Sequence, residues 1–257
     1  MHAWFELRSV WTYRIIVVAA WLAVWQAVGQ YLLLNPSYHI LVATPYQVLV
    51  SFALLATGTS PLPAVTHNTL LTLYEIVGAF ALAAASGLSI GMLIGQFKLV
   101  EQSLEPLIVA LLAVPNFVLF PIMFLLLSIG PRSDIAFGAY LGFFPVIANT
   151  IAGTRQVDRN QIILAKSMGA SSLQVFRKVV LPSSAGPIVS GLKQGLSLSI
   201  IGVIGGEILA PISGIGYLMT TALGFFYTPE LYALIILTVV IAVAGNVGFS
   251  RIERRFV

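Results

Sequence analysis

Long apolar runs alternate with short polar segments along most of this chain. A helix needs roughly 20 apolar residues to cross the hydrocarbon of a bilayer, and six runs reach that length. They lie at residues 15–34, 70–95, 107–127, 134–153, 187–210 and 231–250. The pattern therefore predicts an all-α integral membrane protein with about six spans, which form a single transmembrane domain over residues 1–257.

The longest polar interruption lies at residues 158–182, and we call it the coupling segment. Its apolar residues recur at helical spacing on both sides of Gly169. Asp158 and Ser171 stand at N-cap positions, and Gln174 follows Ser171 by three residues, which is the pattern of a capping box. Glycine readily adopts the left-handed turn that ends a helix. The segment is therefore predicted to form two short helices that meet at Gly169.

Glycine and proline predict where the spans pack closely or bend. The four-residue spacing of Gly87, Gly91 and Gly95 would let another helix approach closely. Departures from ideal helix are expected in the third and fifth runs, at Pro115 and Pro121 and at Gly202, Gly205 and Gly206. Residues 35–68 contain no charged side chain, and their apolar run at 46–55 is too short to span, so we expect an extracytoplasmic helix there.

Composition and charge agree with this pattern. The chain has 58% apolar and 9% charged residues, whereas soluble domains have about a quarter charged. Of its 13 Lys and Arg residues, all but Arg132 fall on or next to one side of the predicted spans. The positive-inside rule then predicts cytoplasmic termini and a cytoplasmic coupling segment. With no cysteine and only three histidines, a metal site is not expected.

Two carboxylates fall inside predicted spans, Glu75 and Glu207. Each costs about 2.5–3.5 kcal/mol to place at mid-bilayer, so neither should face lipid. Glu75 would either reach the interface or line a path. Glu207 could accept backbone amides beside Gly205 and Gly206, face a water-filled passage, or pair with a basic group. Asn116 and Asn149 are further pathway candidates, although polar side chains in spans also serve simply as hydrogen bonds between helices.

Sequence patterns of catalysis are missing from the chain. There are no paired carboxylates near a histidine, no zinc-protease or nucleophile-elbow motif, and no phosphate-binding loop. We therefore expect that the chain is not an enzyme and binds no cofactor itself.

The coupling segment resembles the signature loop of bacterial ATP-binding-cassette importer permeases. That pattern reads EAA, three residues, G, nine residues, I, one residue, LP. Ile163-Leu164-Ala165 stands at EAA, Gly169 at the glycine, Val179 at the isoleucine, and Leu181-Pro182 closes the pattern. Phe143-Phe144-Pro145 with Asn149-Thr150 is similar to a run found in the branch for nitrate, aliphatic sulfonates, taurine, bicarbonate and thiamine-type pyrimidines.

The resemblance implies a type I importer permease fold in the bacterial inner membrane. Two permease subunits, a homodimer in preference to a heterodimer, would form the pathway. Two separate ATPase subunits would carry ATP and Mg, and a periplasmic or lipid-anchored protein would deliver the solute. Contact with the ATPase is implied for Ile163, Ala165, Lys166, Met168, Gly169, Ala170, Leu173, Phe176, Leu181 and Pro182. Among these, Met168, Leu173 and Phe176 are expected to be its outward apolar contacts.

The sequence departs from the family pattern at two positions. Ile163 replaces the signature glutamate, and Tyr74 occupies a place where branch members often have arginine, which makes Tyr74 a pathway candidate. The expected solute is small and polar or anionic, and a thiamine-precursor pyrimidine is the alternative. An ion-gradient transporter would instead depend on Glu75 or Glu207, and an intramembrane enzyme would have to use His67 with Glu75.

Overall fold

Helices make up most of the described residues, which are 2–38 and 40–253 of a computed structural model. His39, Arg254 and Arg255 lie outside these residues, as do the side chains of His2 and Arg8. The α-helices are, in chain order, α1 His2–Leu33, α2 Pro45–Thr57, α3 Val65–Gln96, α4 Lys98–Ala113, α5 Phe120–Leu127, α6 Pro131–Arg155, α7 Arg159–Ser167, α8 Ser172–Val175, α9 Leu181–Ser183, α10 Ala185–Leu209, α11 Gly214–Gly224 and α12 Thr228–Glu253.

Five helices in the described part of the chain are long and apolar enough to cross a membrane. They are α3, α6, α10, the Thr12–Leu33 part of α1 and the Thr228–Arg251 part of α12. Each overlaps one of the apolar runs read from the sequence. The positions of the membrane boundaries along them stay predictions.

The remaining run, 107–127, is not one helix. Helix α4 ends at Ala113, and a 3₁₀ turn over Asn116–Leu119 leads into the short helix α5. Pro115 has no amide to continue the α4 hydrogen-bond ladder, and Pro121 occupies the first turn of α5, where a missing amide costs nothing. The two prolines therefore interrupt the helix, as the sequence predicted.

Helix α10, in contrast, is unbroken from Ala185 to Leu209. The expected departure from helix at Gly202, Gly205 and Gly206 is wrong. These glycines serve close packing instead: a methyl group on Gly202 would lie 2.6 Å from the Cα of Gly138. A glycine that allows a neighbouring backbone to approach keeps its own helical conformation.

The described residues separate into two compact units. The first comprises Met1–Thr66 with Leu218–Leu237. In it, Thr44 and Gln47 form a capping box at the start of α2. The indole of Trp25 donates a hydrogen bond to the Ala43 carbonyl at 3.1 Å, which ties α1 to the segment before α2. Whether the whole chain acts as one membrane domain stays a prediction.

The second unit comprises His67–Tyr217 with Thr238–Val257. Helices α6 and α10 pack along small residues, and a methyl group on Gly195 would lie 3.0 Å from the Gly142 carbonyl oxygen. Helix α3 packs on α6 in the same way. A methyl group on Gly87 or Gly91 would lie 2.8 Å from Val146 or Thr150 respectively. The predicted close approach at the α3 glycines is therefore observed, and its partner is α6.

Helical backbone continues with almost no interruption from the coupling segment into α10. Helix α8 passes into a π-helical stretch, Phe176–Val180, then into α9 and, after a turn at Ser184, into α10. Leu181 donates its amide to the Phe176 carbonyl, five residues back. Pro182 follows directly and lacks an amide of its own. A wider π turn before a proline keeps the chain helical where a regular α turn would clash with the proline ring.

Candidate functional site

The coupling segment folds as two short helices joined at Gly169. Asp158 caps α7 by accepting the Asn160 amide at 2.8 Å. Gly169 has a left-handed φ of 83°. Around it, the Gly169 amide donates to Lys166 O at 2.9 Å and the Ala170 amide donates to Ala165 O at 3.1 Å. These two bonds form a Schellman motif, which requires the left-handed residue between them. The predicted turn at Gly169 is confirmed.

The second helix begins at the predicted cap. Ser171 donates its amide to Gln174 Oε1 at 2.8 Å, and Gln174 donates its amide to Ser171 Oγ at 3.3 Å. This reciprocal pair is the capping box predicted from the sequence. The start of α8, like the end of α7, is therefore fixed by local hydrogen bonds within the coupling segment.

The coupling segment has its own small core. Val157, Val175 and Val180 are buried, and Ile162, Ala165, Ala170, Phe176 and Val179 pack against them. Phe176 was expected to point outward, and this expectation is wrong. Residues 175, 176, 179 and 180 form one apolar stripe at helical spacing, and that stripe packs inward, so the Phe176 ring is part of the core.

Five other large apolar side chains of the coupling segment are exposed. Leu181 lies apart in α9, and we call the other four, on α7, on α8 and at the turn between them, the docking face. Their exposed fractions are 53% for Ile163, 63% for Leu164, 80% for Met168 and 58% for Leu173. Four cations of the same segment are exposed as well: Arg159, Lys166, Arg177 and Lys178. An apolar patch with a charged rim is the usual composition of a protein-binding surface.

A second group of functional candidates is buried in the second unit, around Glu207. This side chain is fully buried. Its Oε1 accepts the Thr72 hydroxyl at 2.6 Å, and its Oε2 accepts the Gly216 amide at 2.7 Å. Thr72 in turn accepts the Ile215 amide at 2.8 Å, and Asn68 Oδ1 accepts the Gly214 amide at 2.7 Å.

These contacts give an acceptor to each of the first three amides of helix α11. The first amides of any helix lack partners within it, and the helix dipole favours a negative group there. Side chains of α3 and α10 supply the missing acceptors. Glu207 therefore holds the start of α11 in place, and of the roles left open by the sequence, the structure shows that it accepts backbone amides.

Glycine is required where α11 meets Glu207. Gly214 has a φ of 90°, which disfavours a side chain. A methyl group on Gly216 would lie 2.6 Å from the Cβ of Glu207. The run Ser213-Gly214-Ile215-Gly216-Tyr217 thus lets the backbone come close enough to donate to the carboxylate.

Glu75 and Asp134 lie beside Glu207. Glu75 is fully buried, so the expectation that it reaches the interface is wrong. Its carboxyl group faces that of Glu207, but neither Glu75 oxygen has a hydrogen-bond partner of good geometry in the described residues. Asp134 is 2% exposed, and its Oδ1 also lacks a partner there. Within the described residues no group of three His, Asp or Glu side chains is arranged to hold a metal ion.

The other pathway candidates are dispersed. Tyr74 is 64% exposed, although its neighbour Glu75 is enclosed. Asn116 lies on the exposed 3₁₀ turn between α4 and α5. Asn149 donates to the Pro145 carbonyl at 2.8 Å, and its Cβ packs on Gly191 of α10. A role for any of them in the pathway stays a prediction.

Sequence reasoning missed Asn68, Thr72 and Asp134. The first two could have been found, because Asn68, Thr72 and Glu75 are spaced by four and three residues and so form one polar stripe on α3. Polar residues aligned on one face of a membrane helix indicate a partner on that face. Asp134 lies in the first turn of α6. Acidic residues are common at the start of any helix, so this position did not identify Asp134 as a site residue.

In the described residues, helices long enough to span a membrane occur together with an exposed, self-capped pair of short helices, and the family comparison assigns this combination to the membrane subunits of transport systems. The chain belongs to the family described as "Binding-protein-dependent transport system inner membrane component", whose model matches residues 87–257. It is therefore a multi-pass membrane permease.

Two relatives that are named for different solutes have the same sequence identity to this chain, 30%. The taurine transport system permease protein TauC of Escherichia coli is 30% identical over 95% of this chain and 88% of its own length. The formylaminopyrimidine transport permease protein ThiX of Halalkalibacterium halodurans is 30% identical over 71% of this chain and 72% of its own.

A solved structure shows the same fold. A chain of the MetNI methionine ABC transporter, in an inward-facing conformation, superposes with a TM-score of 0.65. The match covers 75% of this chain and 96% of that one, at 18% identity. The fold is thus that of a type I ABC importer permease, as the sequence resemblance implied.

Proposed function

We propose that this permease carries a small polar or anionic solute across the inner membrane, and that ATP hydrolysis on separate subunits drives the movement. The docking face of the coupling segment is the observation that supports this most directly. It presents Met168 and Leu173, more than half exposed, on helices whose ends are fixed by a Schellman motif and a capping box. Such a face is already ordered before its partner binds, so little entropy is lost on docking.

The occupant of the docking face is an ATP-binding-cassette ATPase. The family name ties this chain to transport that depends on a binding protein, and the chain itself has no phosphate-binding loop. Energy must therefore come from a partner, on which ATP and Mg are bound. This chain needs no cofactor. Closure of the ATPase pair would displace the coupling segments and switch access between the two sides.

The assembly that we propose contains two copies of this chain, two ATPase subunits and a periplasmic or lipid-anchored binding protein. Both termini and the coupling segment face the cytoplasm. The basic residues support this orientation: Arg159, Lys166, Arg177 and Lys178 are exposed on one segment, where the positive-inside rule places them. Ile163, which replaces the glutamate of the family signature, then contacts the ATPase through its exposed side chain.

The solute is of the sulfonate or taurine type, as the 30% identity to TauC over nearly the whole chain suggests. A pyrimidine precursor of thiamine is the alternative, suggested by ThiX at the same identity over a shorter match. Uptake of labelled taurine and of labelled formylaminopyrimidine into cells that express the complete system distinguishes the two.

Two matched substitutions on the docking face test the coupling. Met168→Glu places a charge at the most exposed apolar position and should abolish co-purification of ATPase activity with the tagged permease. Ile163→Glu restores the residue that the family signature carries there and should leave co-purification intact. ATP-dependent uptake should follow the same order. If Met168→Glu retains its ATPase and its uptake, or if uptake proceeds without ATP, the proposal is wrong.

A further inference from the structure

The coupling segment is strongly basic for its length. Four of its side chains are exposed cations: Arg159, Lys166, Arg177 and Lys178. Asp158 is its single acidic residue, so the segment carries a net charge of +3. That carboxylate already caps α7, where its Oδ1 accepts the Asn160 amide at 2.8 Å. None of the four cations forms an ion pair with a described side chain.

Helical spacing places three of these cations beside the docking face. Arg159 precedes Ile163 by four residues on α7, and Lys166 follows Ile163 by three. Residues at these spacings are neighbours on the surface of a helix. Arg177 follows Leu173 by four residues, where α8 passes into the π-helical stretch. The exposed apolar side chains and the exposed cations therefore belong to one surface.

The neighbours of the α7 cations within the coupling segment carry no negative charge. Ile163 lies one helical turn from both Arg159 and Lys166 and is apolar. The inward side of α7 offers no counter-charge either, because Ile162 and Ala165 pack there into the apolar core. Like charges on one surface repel each other, and a partner of opposite charge relieves this repulsion. The segment therefore favours a partner with an acidic surface.

We propose that the ATPase groove that receives the docking face carries acidic side chains at its edge, which face Arg159, Lys166 and Arg177. The inference rests on the proposed docking of an ATPase and adds the chemistry of the partner to it. Charges at the edge of an interface mainly set the rate and orientation of association, whereas the apolar centre supplies most of the affinity. The cations thus select an ATPase with an acidic groove over one with a basic groove.

An anionic bilayer surface would attract the same cations, but the fold of the segment favours a protein groove. Amphipathic helices that bind a bilayer lie in its surface with one continuous apolar face. The docking face is instead divided between α7 and the four-residue helix α8, with Met168 at the turn between them. An apolar face that crosses a turn between two short helices suits a shaped groove better than a flat surface.

The first test is the salt dependence of association. The ATPase that co-purifies with the tagged permease is separated and then rebound to the permease in phosphatidylcholine nanodiscs. Raising NaCl from about 0.1 to about 1 M shortens the Debye length from about 10 to about 3 Å. The association rate constant should fall about tenfold, and the dissociation rate constant should change less than about twofold. An association rate that is constant or rises with salt would overturn the inference.

Matched substitutions locate the charge effect on the coupling segment. Arg159→Gln should lower the association rate about two- to fivefold at low salt, and Arg159→Lys should restore most of it. Arg132→Gln removes an equal charge from the start of α6, which the positive-inside rule places on the other side of the membrane, and should have no effect. Ile163→Glu pairs with its basic neighbours internally, so it should weaken the salt dependence although the complex still co-purifies. Equal effects of Arg159→Gln and Arg132→Gln would contradict the inference.

Carbodiimide cross-linking detects the carboxylates of the partner directly. The reagent joins a lysine amine to a carboxylate in contact with it, whereas an arginine side chain does not react. Lys166 should be joined to an Asp or Glu of the ATPase, identified by mass spectrometry of the linked peptides. Lys166→Arg should remove this product and keep the association rate, and Lys98→Arg, at the start of α4, should change neither. A complex without a cross-link from Lys166 or Lys178 would overturn the inference.

Amine labelling separates the ATPase from lipid as the partner of the cations. Bound ATPase should slow the acetylation of Lys166 in phosphatidylcholine nanodiscs. Protection of Lys166 by phosphatidylglycerol, with none by the ATPase, would assign the cations to lipid and overturn the inference. Failure of the ATPase to bind at any salt concentration would refute the proposed docking as well, whereas binding that is independent of salt refutes only the acidic groove.

Discussion

Replacing Glu207 by leucine should destabilise the second unit far more than the same replacement of Glu75. The two carboxylic side chains are equally buried, each with no exposed surface. They differ in bonding: Glu207 accepts from Thr72 and Gly216, whereas neither Glu75 oxygen has a partner in the described residues. Leucine keeps most of the side-chain volume, so the comparison isolates the hydrogen bonds.

The magnitude follows from the groups left behind. Glu207→Leu removes two buried hydrogen bonds, from the Thr72 hydroxyl and from the Gly216 amide, and the loss of each costs about 1–3 kcal/mol. The Thr72 hydroxyl recovers part of this, because it can turn to the Asn68 carbonyl at 3.1 Å. We expect a loss of about 3–5 kcal/mol. Glu75→Leu removes only the contact of one carboxyl group with another, at Glu207, so the loss of stability should stay below about 1 kcal/mol.

The assay is the fraction of monodisperse permease that survives heating in mild detergent, measured by size-exclusion chromatography. Tryptophan fluorescence is unsuitable, since all four tryptophans lie at residues 4, 11, 21 and 25 and report on α1. A loss of about 3–5 kcal/mol should lower the midpoint by about 6–20 °C. Glu207→Gln should fall between wild type and Glu207→Leu, because its amide oxygen still accepts the Gly216 amide. Equal losses for Glu207→Leu and Glu75→Leu would refute the reasoning.

Three further predictions concern the rest of the second unit. Gly169→Asn should retain most ATP-driven uptake and Gly169→Val should lose it, because a β-branched residue at a φ of 83° costs about 1–3 kcal/mol. Equal uptake by the two variants would exclude backbone strain as the cause. Gly138→Ala should lower the heating midpoint by several degrees, because its methyl group would lie 2.7 Å from Val203. Gly248→Ala is the control and should be neutral, because its methyl group would have no atom within 4 Å. Glu101→Gln removes the exposed ion pair with Arg155 and should change stability by less than about 1 kcal/mol in the same assay; a larger loss would mean that the pair is not a simple surface contact.

Local patterns predicted the coupling segment well. The caps at Asp158 and Ser171 and the turn at Gly169 depend on neighbours within a few residues, and such short-range hydrogen bonds can be read from sequence. Phe176 was placed on the wrong side, since the inward stripe depends on how the two short helices pack on each other. The apolar stripe itself can be read from the sequence, but the direction in which it faces cannot.

The buried site could be predicted only in part. The cost of a carboxylate in a span identified Glu75 and Glu207 as buried candidates. Their different roles depend on where the Gly214–Gly216 turn lies relative to α3, which is a contact between residues more than 130 positions apart in the chain. For the same reason the glycines of α10 were expected to bend the helix. Glycine serves both bending and close packing, and only the neighbouring helix determines which.

The run of helical backbone from Ser172 to Leu209 has a mechanical consequence. It joins the docking face at Leu173 to the anchored carboxylate at Glu207, with the π-helical stretch Phe176–Val180 and the turn at Ser184 between them. No long loop separates the two ends, so a displacement of Leu173 passes along hydrogen-bonded backbone to the start of α11, where Glu207 accepts the Gly216 amide.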